Sequence, residues 1–172
     1  MDLASDARAF AAGVYGSDKE LEHPIEVATL VGSDDPELYA AAVLHDLVED
    51  TDVELSDIAA RFGSRVAALV AAMTEDESIK KYKARKQEHR QRARDAGRDA
   101  ALLFVADKLS NTRRMQRGQK KPDPKKLAHY RATLDTMREG YPGLPLLDEL
   151  EAELAATGPA LRAPAPQPGA RA

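Results

Sequence analysis

A chain of 172 residues with a net charge of −4 is long enough to bury one hydrophobic core and too short for two ordinary domains. Cysteine is absent, which excludes disulfides, thiolate metal ligands and thiol nucleophiles, so any metal must be bound by histidine and carboxylate groups. No apolar run is long enough to span a membrane and the N-terminal residues lack a secretory signal, so we expect a cytoplasmic protein with no membrane partner.

The first predicted elements are helices, because their apolar positions recur at helical spacing and are mostly Ala, Leu and Val. The first helix is predicted from Leu3 to Val14. A second is predicted to start at His23, with Pro24 in its first turn, and to end at Val31. A third, apolar almost all round, is predicted from Glu37 to Val48 and is expected to lie buried at the centre of the domain.

The rest of the chain repeats this pattern. Further helices are predicted from about Glu54 to Phe62, Ser64 to Met73, Ile79 to about Asp95, Ala100 to Asp107, Lys125 to Glu139 and Leu144 to Ala156. Periodicity alone leaves Ala100 to Asp107 open between strand and helix, and helix is chosen because no second strand is available for pairing. The sequence predicts an all-α helical bundle as one domain over residues 1–157, followed by a disordered Pro/Ala-rich tail over residues 158–172.

Ionisable residues interrupt the predicted central helix. His45 and Asp46 lie within its apolar run, and Glu49 and Asp50 follow one turn later on the same face. An unpaired carboxylate in such surroundings is strongly disfavoured by desolvation. Neighbouring carboxylates also raise one another's pKa unless a cation lies among them. A bound divalent cation is therefore the economical interpretation.

Two more positions extend the candidate metal site. Asp107 follows seven consecutive apolar residues, with Asn111 four residues later on the same face, and His23 stands at a predicted helix start. Pairing of Asp107 with a nearby Lys or Arg is the alternative interpretation. The candidate residues of the metal site are therefore His23, His45, Asp46, Glu49, Asp50 and Asp107. Imidazole and carboxylate ligands do not discriminate among first-row divalent ions, and His89 and His129, which lie in charged helices, are predicted to be surface residues.

Basic residues concentrate in the second half of the chain. The segment from Lys80 to Arg131 contains 18 of the 25 basic residues and only five acidic ones. Next to candidate metal ligands, such a segment suits a polyanionic substrate. For any single residue of the segment, a solvated helix face is an equally good interpretation.

These motifs resemble a known family. The resemblance is carried by His23-Pro24, by the stretch HDLVEDT from His45 to Thr51 and by the stretch ADKLSN from Ala106 to Asn111. Together they are similar to the HD-domain hydrolases of the RelA/SpoT group, in particular the small single-domain alarmone hydrolases, from about residue 7 to about residue 155.

The resemblance implies an HD-domain helical bundle and a Mn²⁺ ion bound by His23, His45, Asp46 and Asp107. It also implies hydrolysis of the 3′-diphosphate of ppGpp or pppGpp to GDP or GTP and pyrophosphate. Glu49 and Asp50 are expected to orient and deprotonate the attacking water. Substrate contacts are expected at Lys81, Asn111, Lys126 and Tyr130.

One departure from the family pattern bears on the substrate. Gly13 and Val14 stand where the family has a basic pair that contacts the nucleotide base. An HD phosphohydrolase acting on another nucleotide or phosphorylated metabolite is therefore the alternative. A non-enzymatic module that binds nucleic acid through the basic helix from Lys80 to Arg98 is disfavoured, because Tyr82 is its only aromatic residue. A homo-oligomer is left open.

Overall fold

The structure is a computed structural model and is described for residues 2–157. Within this range the chain forms ten helices and no strand, which confirms the predicted all-α fold. The helices are α1 (Leu3–Tyr15), α2 (Asp18–Val31), α3 (Pro36–Leu44), α4 (Leu47–Asp50), α5 (Leu55–Phe62), α6 (Ser64–Met73), α7 (Tyr82–Asp95), α8 (Arg98–Gln116), α9 (Pro124–Gly140) and α10 (Leu147–Thr157). The tail predicted for residues 158–172 lies outside the described residues, so the predicted domain boundary stays a prediction.

Helix α3 lies at the centre of one half of the bundle, where it packs against α1, α2 and α6. Pro36 occupies its first turn, and the side chain of Asp35 accepts the backbone N–H groups of Glu37 and Leu38. From Ala40 to Leu44 every residue is fully buried. The three alanines in this run let the neighbouring helices approach closely, so the end of α3 lies deep in the protein.

Helix α8 organises the other half of the bundle. It contacts α2, α6, α7, α9 and α10, and every residue from Leu103 to Thr112 is buried, including Asp107. At 19 residues it is the longest helix, and its charged residues make it unlike a bilayer-spanning segment. No helix within residues 2–157 is long and apolar enough to cross a membrane. The cytoplasmic location stays a prediction.

The second helix begins earlier than the sequence analysis predicts. Helix α2 starts at Asp18, so His23 lies inside it and not at its beginning, and Pro24 follows in the helix interior. Ser17 caps the helix by accepting the N–H of Glu20, and the acidic first turn favours the helix dipole. These contributions offset the backbone hydrogen bond that Pro24 lacks. The prediction of a start at His23 is therefore wrong.

The third predicted helix is interrupted. Helix α3 ends at Leu44, His45 and Asp46 form a turn, and the short helix α4 starts at Leu47. Asp46 has φ −95° and ψ −8°, which lies between the helical and extended regions. The ring of His45 turns back, and its Nδ1 donates to the carbonyl of Ala42 at 2.8 Å. The interruption therefore places both polar side chains at the end of a buried helix, where an unbroken helix had been predicted.

Candidate metal centre and active site

Three parts of the fold bring the predicted metal-binding residues together. His23 comes from α2, His45 and Asp46 come from the turn after α3, and Asp107 comes from the buried centre of α8. His23 Nε2 lies 3.0 Å from Asp107 Oδ1 and 3.5 Å from Asp46 Oδ2. His45 Nε2 lies 3.1 Å from Asp46 Oδ1 and 3.8 Å from Asp107 Oδ1. The four side chains thus converge on one point.

Hydrogen bonds define which nitrogen of each histidine faces this point. The hydroxyl of Ser110 donates to Glu26 Oε2 at 2.9 Å, so its oxygen is left to accept the Nδ1–H of His23, also at 2.9 Å. The Nδ1–H of His45 is likewise committed to the carbonyl of Ala42. In the neutral form of each ring the lone pair is therefore on Nε2, the nitrogen that faces the carboxylate oxygens, and His23 Nε2 lies within hydrogen-bond distance of Asp107 Oδ1. These are the nitrogen atoms that a cation at this point would bind.

The residues present fit a divalent cation. His23, His45 and Asp107 are all buried, and each offers a ligand atom within 4.8 Å of the others. His45 Nε2 is buried and has no hydrogen-bond partner within residues 2–157. Two imidazole nitrogens with carboxylate oxygens are the donors that Mn²⁺, Fe²⁺, Co²⁺ and Zn²⁺ accept. The chain therefore provides a candidate site for a divalent metal ion.

The pKa values of His45 and Asp107 are also shifted by the charges around them. Burial lowers the pKa of His45, but the carboxylates of Asp46 and Asp107 outweigh burial and raise this pKa well above its usual value. Burial raises the pKa of Asp107, but Lys108 and His23 outweigh it and hold the pKa well below the usual range. Both pKa shifts arise because buried carboxylates and imidazoles are packed together at this point, where they attract positive charge.

Asp107 is also paired with a lysine. Lys108 Nζ donates to Asp107 Oδ2 and Asn111 Nδ2 donates to Asp107 Oδ1, both at 2.5 Å. The ammonium group of Lys108 lies 4.2 Å from the centre of the Phe104 ring, so Lys108 is held on both sides. Pairing with a neighbouring lysine, the alternative interpretation of the sequence, is therefore present together with the histidine contacts. The two interpretations are compatible because the two carboxylate oxygens have different partners.

Glu49 and Asp50 border the metal centre from α4. Burial raises the pKa of Glu49, and its Oε1 accepts the backbone N–H of Glu75 at 2.5 Å. Burial and the nearby charge of Asp46 raise the pKa of Asp50. A carboxylate with a raised pKa is a stronger base than an exposed one, which suits a proton acceptor.

A cavity of about 300 Å³ opens onto these carboxylates. It is lined by His23, Asp46, Glu49, Asp50, Tyr82, Lys86, Asp107, Lys108, Asn111, Lys120, Lys126, His129 and Tyr130. Of the residues expected to contact substrate, Asn111, Lys126 and Tyr130 line this cavity. Lys81 does not: it precedes α7 and is exposed. Lys86, one turn into α7, lines the cavity and was not singled out by the sequence analysis.

The prediction that His89 and His129 are surface residues is wrong. Both are buried, with relative exposures of 3% and 5%, and their rings pack edge-on against Phe104 with centroid distances of 4.7 and 6.2 Å. Burial lowers the pKa of His89 to about 3 and that of His129 to about 2. Both histidines lie in charged helices, and only the packing of α7 and α9 onto α8 reveals their burial.

Comparisons with known proteins agree with this architecture. The HD domain family matches residues 2–136. Human guanosine-3′,5′-bis(diphosphate) 3′-pyrophosphohydrolase MESH1 is 38% identical over 101 residues, which cover 56% of this chain and 56% of that protein. The MESH1 of Danio rerio is 37% identical over 101 residues, with the same coverage of both chains. The chain spans about half the length of the curated relatives it matches.

A solved structure extends the likeness beyond the segment matched by sequence. It is described as a metazoan orthologue of SpoT that hydrolyses ppGpp, and it has a TM-score of 0.76 and 26% identity. The superposition covers 92% of this chain and 97% of that chain. Because the family match extends over most of the sequence and agrees with the HDLVEDT and ADKLSN stretches, the chain belongs to the HD domain family.

Proposed function

We propose that this protein hydrolyses the 3′-diphosphate of guanosine alarmones, converting ppGpp or pppGpp to GDP or GTP and pyrophosphate. The proposal includes a Mn²⁺ ion bound by His23, His45, Asp46 and Asp107. Its main support is the convergence of two imidazole Nε2 atoms with carboxylate oxygens 3.0 to 3.8 Å away, a set of buried ligand atoms that suits a divalent cation. The relatives named as 3′-pyrophosphohydrolases support the choice of substrate.

A divalent cation at this position supplies positive charge to the phosphate oxygens and makes a nearby water more acidic. The chain supplies the base. Glu49 and Asp50 lie beside the metal-binding residues and have raised pKa values, so either carboxylate can accept the proton of the attacking water. The hydrogen bond from the N–H of Glu75 holds the carboxylate of Glu49 in one orientation.

Lysine side chains in the cavity provide the charge that a diphosphate needs. Lys86, Lys108, Lys120 and Lys126 all line it. Three of them are already held in place: Lys86 by Glu75, Lys108 by Asp107, and Lys120 by Asn111, whose Oδ1 accepts from the Lys120 Nζ at 2.5 Å. Ammonium groups that are already in position can stabilise the charge on the reacting phosphate without a large rearrangement of the side chains. Water gives a proton to the carboxylate and attacks the phosphorus that is bonded to the ribose 3′ oxygen. The bond between that phosphorus and the 3′ oxygen breaks, the 3′ oxygen takes up a proton to form the hydroxyl group of GDP or GTP, and pyrophosphate leaves the cavity.

The test is hydrolysis of ppGpp by the Mn²⁺-loaded protein, with GDP and pyrophosphate measured as products. Asp46→Ala is expected to abolish detectable hydrolysis while circular dichroism retains the helical signal. The exposed Asp52, which lies beyond α4, provides a matched control: Asp52→Ala is expected to keep full activity. Absence of GDP at micromolar enzyme, or full activity of Asp46→Ala, would contradict the proposal.

The second candidate is hydrolysis of another nucleotide or phosphorylated metabolite by the same site. It is favoured by Gly13 and Val14. Gly13 is exposed and has no side chain that could contact a base, and the side chain of Val14, which lines an adjacent cavity, is apolar and offers no charge. A panel of nucleotides carrying different bases and phosphate positions separates the two candidates. Faster turnover of a non-guanosine substrate than of ppGpp would favour the second.

A further inference from the structure

A second and wider cavity adjoins the one at the metal centre. It has a volume of about 820 Å³, and the two cavities share His23, Asp46, Asp50 and Lys120 in their walls. Beyond these shared residues the wider cavity is lined by Val14, Tyr15, Ser17, Lys19, Glu20, Pro24, Thr51 and Arg114. A molecule with one end at the metal centre can therefore extend past Lys120 towards Arg114.

Arg114 lies on the same face of α8 as the residues that line the cavity at the metal centre. Asp107, Asn111 and Arg114 are spaced four and three residues apart on α8, so they share one face of the helix. Seven residues correspond to two turns, or about 10 Å along the axis. The face that presents a carboxylate to the metal centre thus presents a guanidinium group two turns away, in the wider cavity.

Arg114 differs from the other arginines at the end of α8. Arg113 pairs with Glu149 and Glu153, and Arg117 pairs with Glu26. Within residues 2–157, Arg114 has no carboxylate within 4.0 Å and its guanidinium donates no hydrogen bond. A partly buried guanidinium group that lines a cavity without an anionic partner is available to bind an anion.

The backbone brings Lys120 to the same place. The chain reverses after α8 with Gly118 at φ 72°, and the N–H groups of Gln119 and Lys120 donate to the carbonyl of Arg114 at 2.9 and 3.2 Å. Burial lowers the pKa of Lys120, and the nearby charge of Arg114 lowers it further. The hydrogen-bonded turn therefore holds the basic side chains of Arg114 and Lys120 close together.

The carboxylates that line this cavity do not neutralise Arg114 and Lys120. Asp46 belongs to the metal centre and Asp50 lies beside it, whereas the exposed Glu20 accepts from the hydroxyl of Ser17 at 2.7 Å. None of the three forms an ion pair with Arg114 or Lys120. The Arg114 end of the cavity therefore retains positive charge when the metal centre is filled.

We propose that Arg114 and Lys120 form a second phosphate subsite, which binds the phosphate group on the 5′ side of the nucleotide while the 3′-diphosphate lies at the metal centre. This assignment rests on the proposed function, and it makes the enzyme selective for nucleotides that carry phosphate on both sides of the ribose. Bidentate contacts from a guanidinium group suit a terminal phosphate, and Lys120 bridges the two cavities.

The first test measures binding, which requires no turnover. GDP and guanosine 3′-monophosphate are titrated calorimetrically into the 172-residue chain and its Arg114→Gln variant. The variant is expected to bind GDP about tenfold or more weakly, as loss of a charge-assisted contact predicts, and to bind guanosine 3′-monophosphate unchanged. The exposed Lys121, which lines neither cavity, provides the control Lys121→Gln with the same loss of charge and no expected effect.

Two binding results would overturn the assignment. The first is equal GDP affinity in Arg114→Gln and the unmodified protein. The second is a general charge effect, seen either as an equal loss of affinity for GDP and guanosine 3′-monophosphate in Arg114→Gln or as an equal loss of GDP affinity in Lys121→Gln. In kinetics with ppGpp, Arg114→Gln is expected to raise KM about tenfold with kcat within about twofold, and Arg114→Lys to recover part of the loss. If ppGpp is not hydrolysed at all, the proposed function fails, and GDP binding still decides the subsite.

Discussion

The hydroxyl of Ser110 determines which nitrogen of His23 faces the metal centre. Its Oγ lies 2.9 Å from His23 Nδ1 and donates its own proton to Glu26, so it accepts the Nδ1–H and leaves Nε2 with a lone pair. Ser110 is fully buried, so no solvent molecule can replace it in the described structure without rearrangement. The metal-binding form of His23 is thus set by a residue that does not itself face the cation.

Removal of that hydroxyl is expected to weaken metal binding. Ser110→Ala should lower Mn²⁺ affinity by roughly 10- to 100-fold, the usual effect of losing a hydrogen bond to a metal-binding histidine. Calorimetric titration with Mn²⁺ measures it. Thr112→Ala is the matched control, because Thr112 is also buried in α8 and, among the described residues, its hydroxyl bonds only to the carbonyl of Lys108. Unchanged affinity in Ser110→Ala would show that the hydroxyl does not orient His23.

Loss of the base is expected to reduce turnover and spare metal binding. Glu49→Gln should lower kcat by roughly 10²- to 10⁴-fold with Mn²⁺ affinity retained, because Glu49 is a proton acceptor in the proposed mechanism and not a ligand. Burial raises the pKa of Glu49, so activity should be present above that pKa and should fall as pH falls through it. A pH profile of kcat/KM measures this acidic limb. An identical limb and turnover in Glu49→Gln would assign the base elsewhere.

Metal removal is expected to destabilise the fold. A cation that binds only the folded state stabilises it by about 2.7 kcal/mol at a free concentration one hundred times its Kd. Chelation should therefore lower Tm by several degrees, and Mn²⁺ should restore it. In Asp107→Asn the restoring shift should be lost, because one carboxylate charge at the centre is gone. Equal Tm values with chelator and with Mn²⁺ would contradict a metal site in the folded protein.

The buried histidines around Phe104 predict a pH-dependent stability. Their pKa values of about 3 and about 2 lie below the unfolded value of 6.5, so the unfolded chain binds more protons between these limits. Their contribution is complete above pH 6.5 and is lost as pH falls, with a slope of about 1.4 kcal/mol per pH unit for each histidine. Urea unfolding at pH 7, 6, 5 and 4 measures the slope.

The variant His89→Phe isolates this contribution from that of the carboxylates. Both ring nitrogens of His89 lack hydrogen-bond partners within residues 2–157, so an apolar ring of similar shape removes no bond. The difference in stability between His89→Phe and the unmodified protein should grow in favour of the variant as pH falls below 6.5. A difference that does not change with pH would show that His89 already carries a proton in the folded protein.

The sequence was sufficient to predict the all-α fold and to single out the residues of the candidate metal centre. The reason is physical: Asp46 and Asp107 are acids inside apolar runs, and an acid in such a place needs a partner. The start of α2 was misplaced because Pro24 is a strong signal and the Ser17 cap a weaker one. The turn at His45 depends on a side chain bonding back to a carbonyl, which periodicity does not report.

Other features depended on tertiary packing. His89 and His129 lie among charged residues in sequence, and their burial arises only when α7 and α9 pack on α8. Lys81 was chosen by resemblance, whereas Lys86 lines the cavity because it lies one helical turn further along α7. The spacing of Arg114 from Asp107 is visible in the sequence, but its lack of a carboxylate partner requires coordinates.

The hydrogen bonds behind His23 continue to the protein surface. Glu26, which accepts from Ser110, is paired with Arg117 at 2.8 Å, and the side chain of Arg117 is 46% exposed. Dissolved salt weakens an exposed pair of this kind, and a Glu26 released from Arg117 holds the Ser110 hydroxyl less firmly. We therefore expect the orientation of the buried His23 imidazole, and with it the affinity of the candidate metal site for a cation, to depend on the ionic strength of the solution.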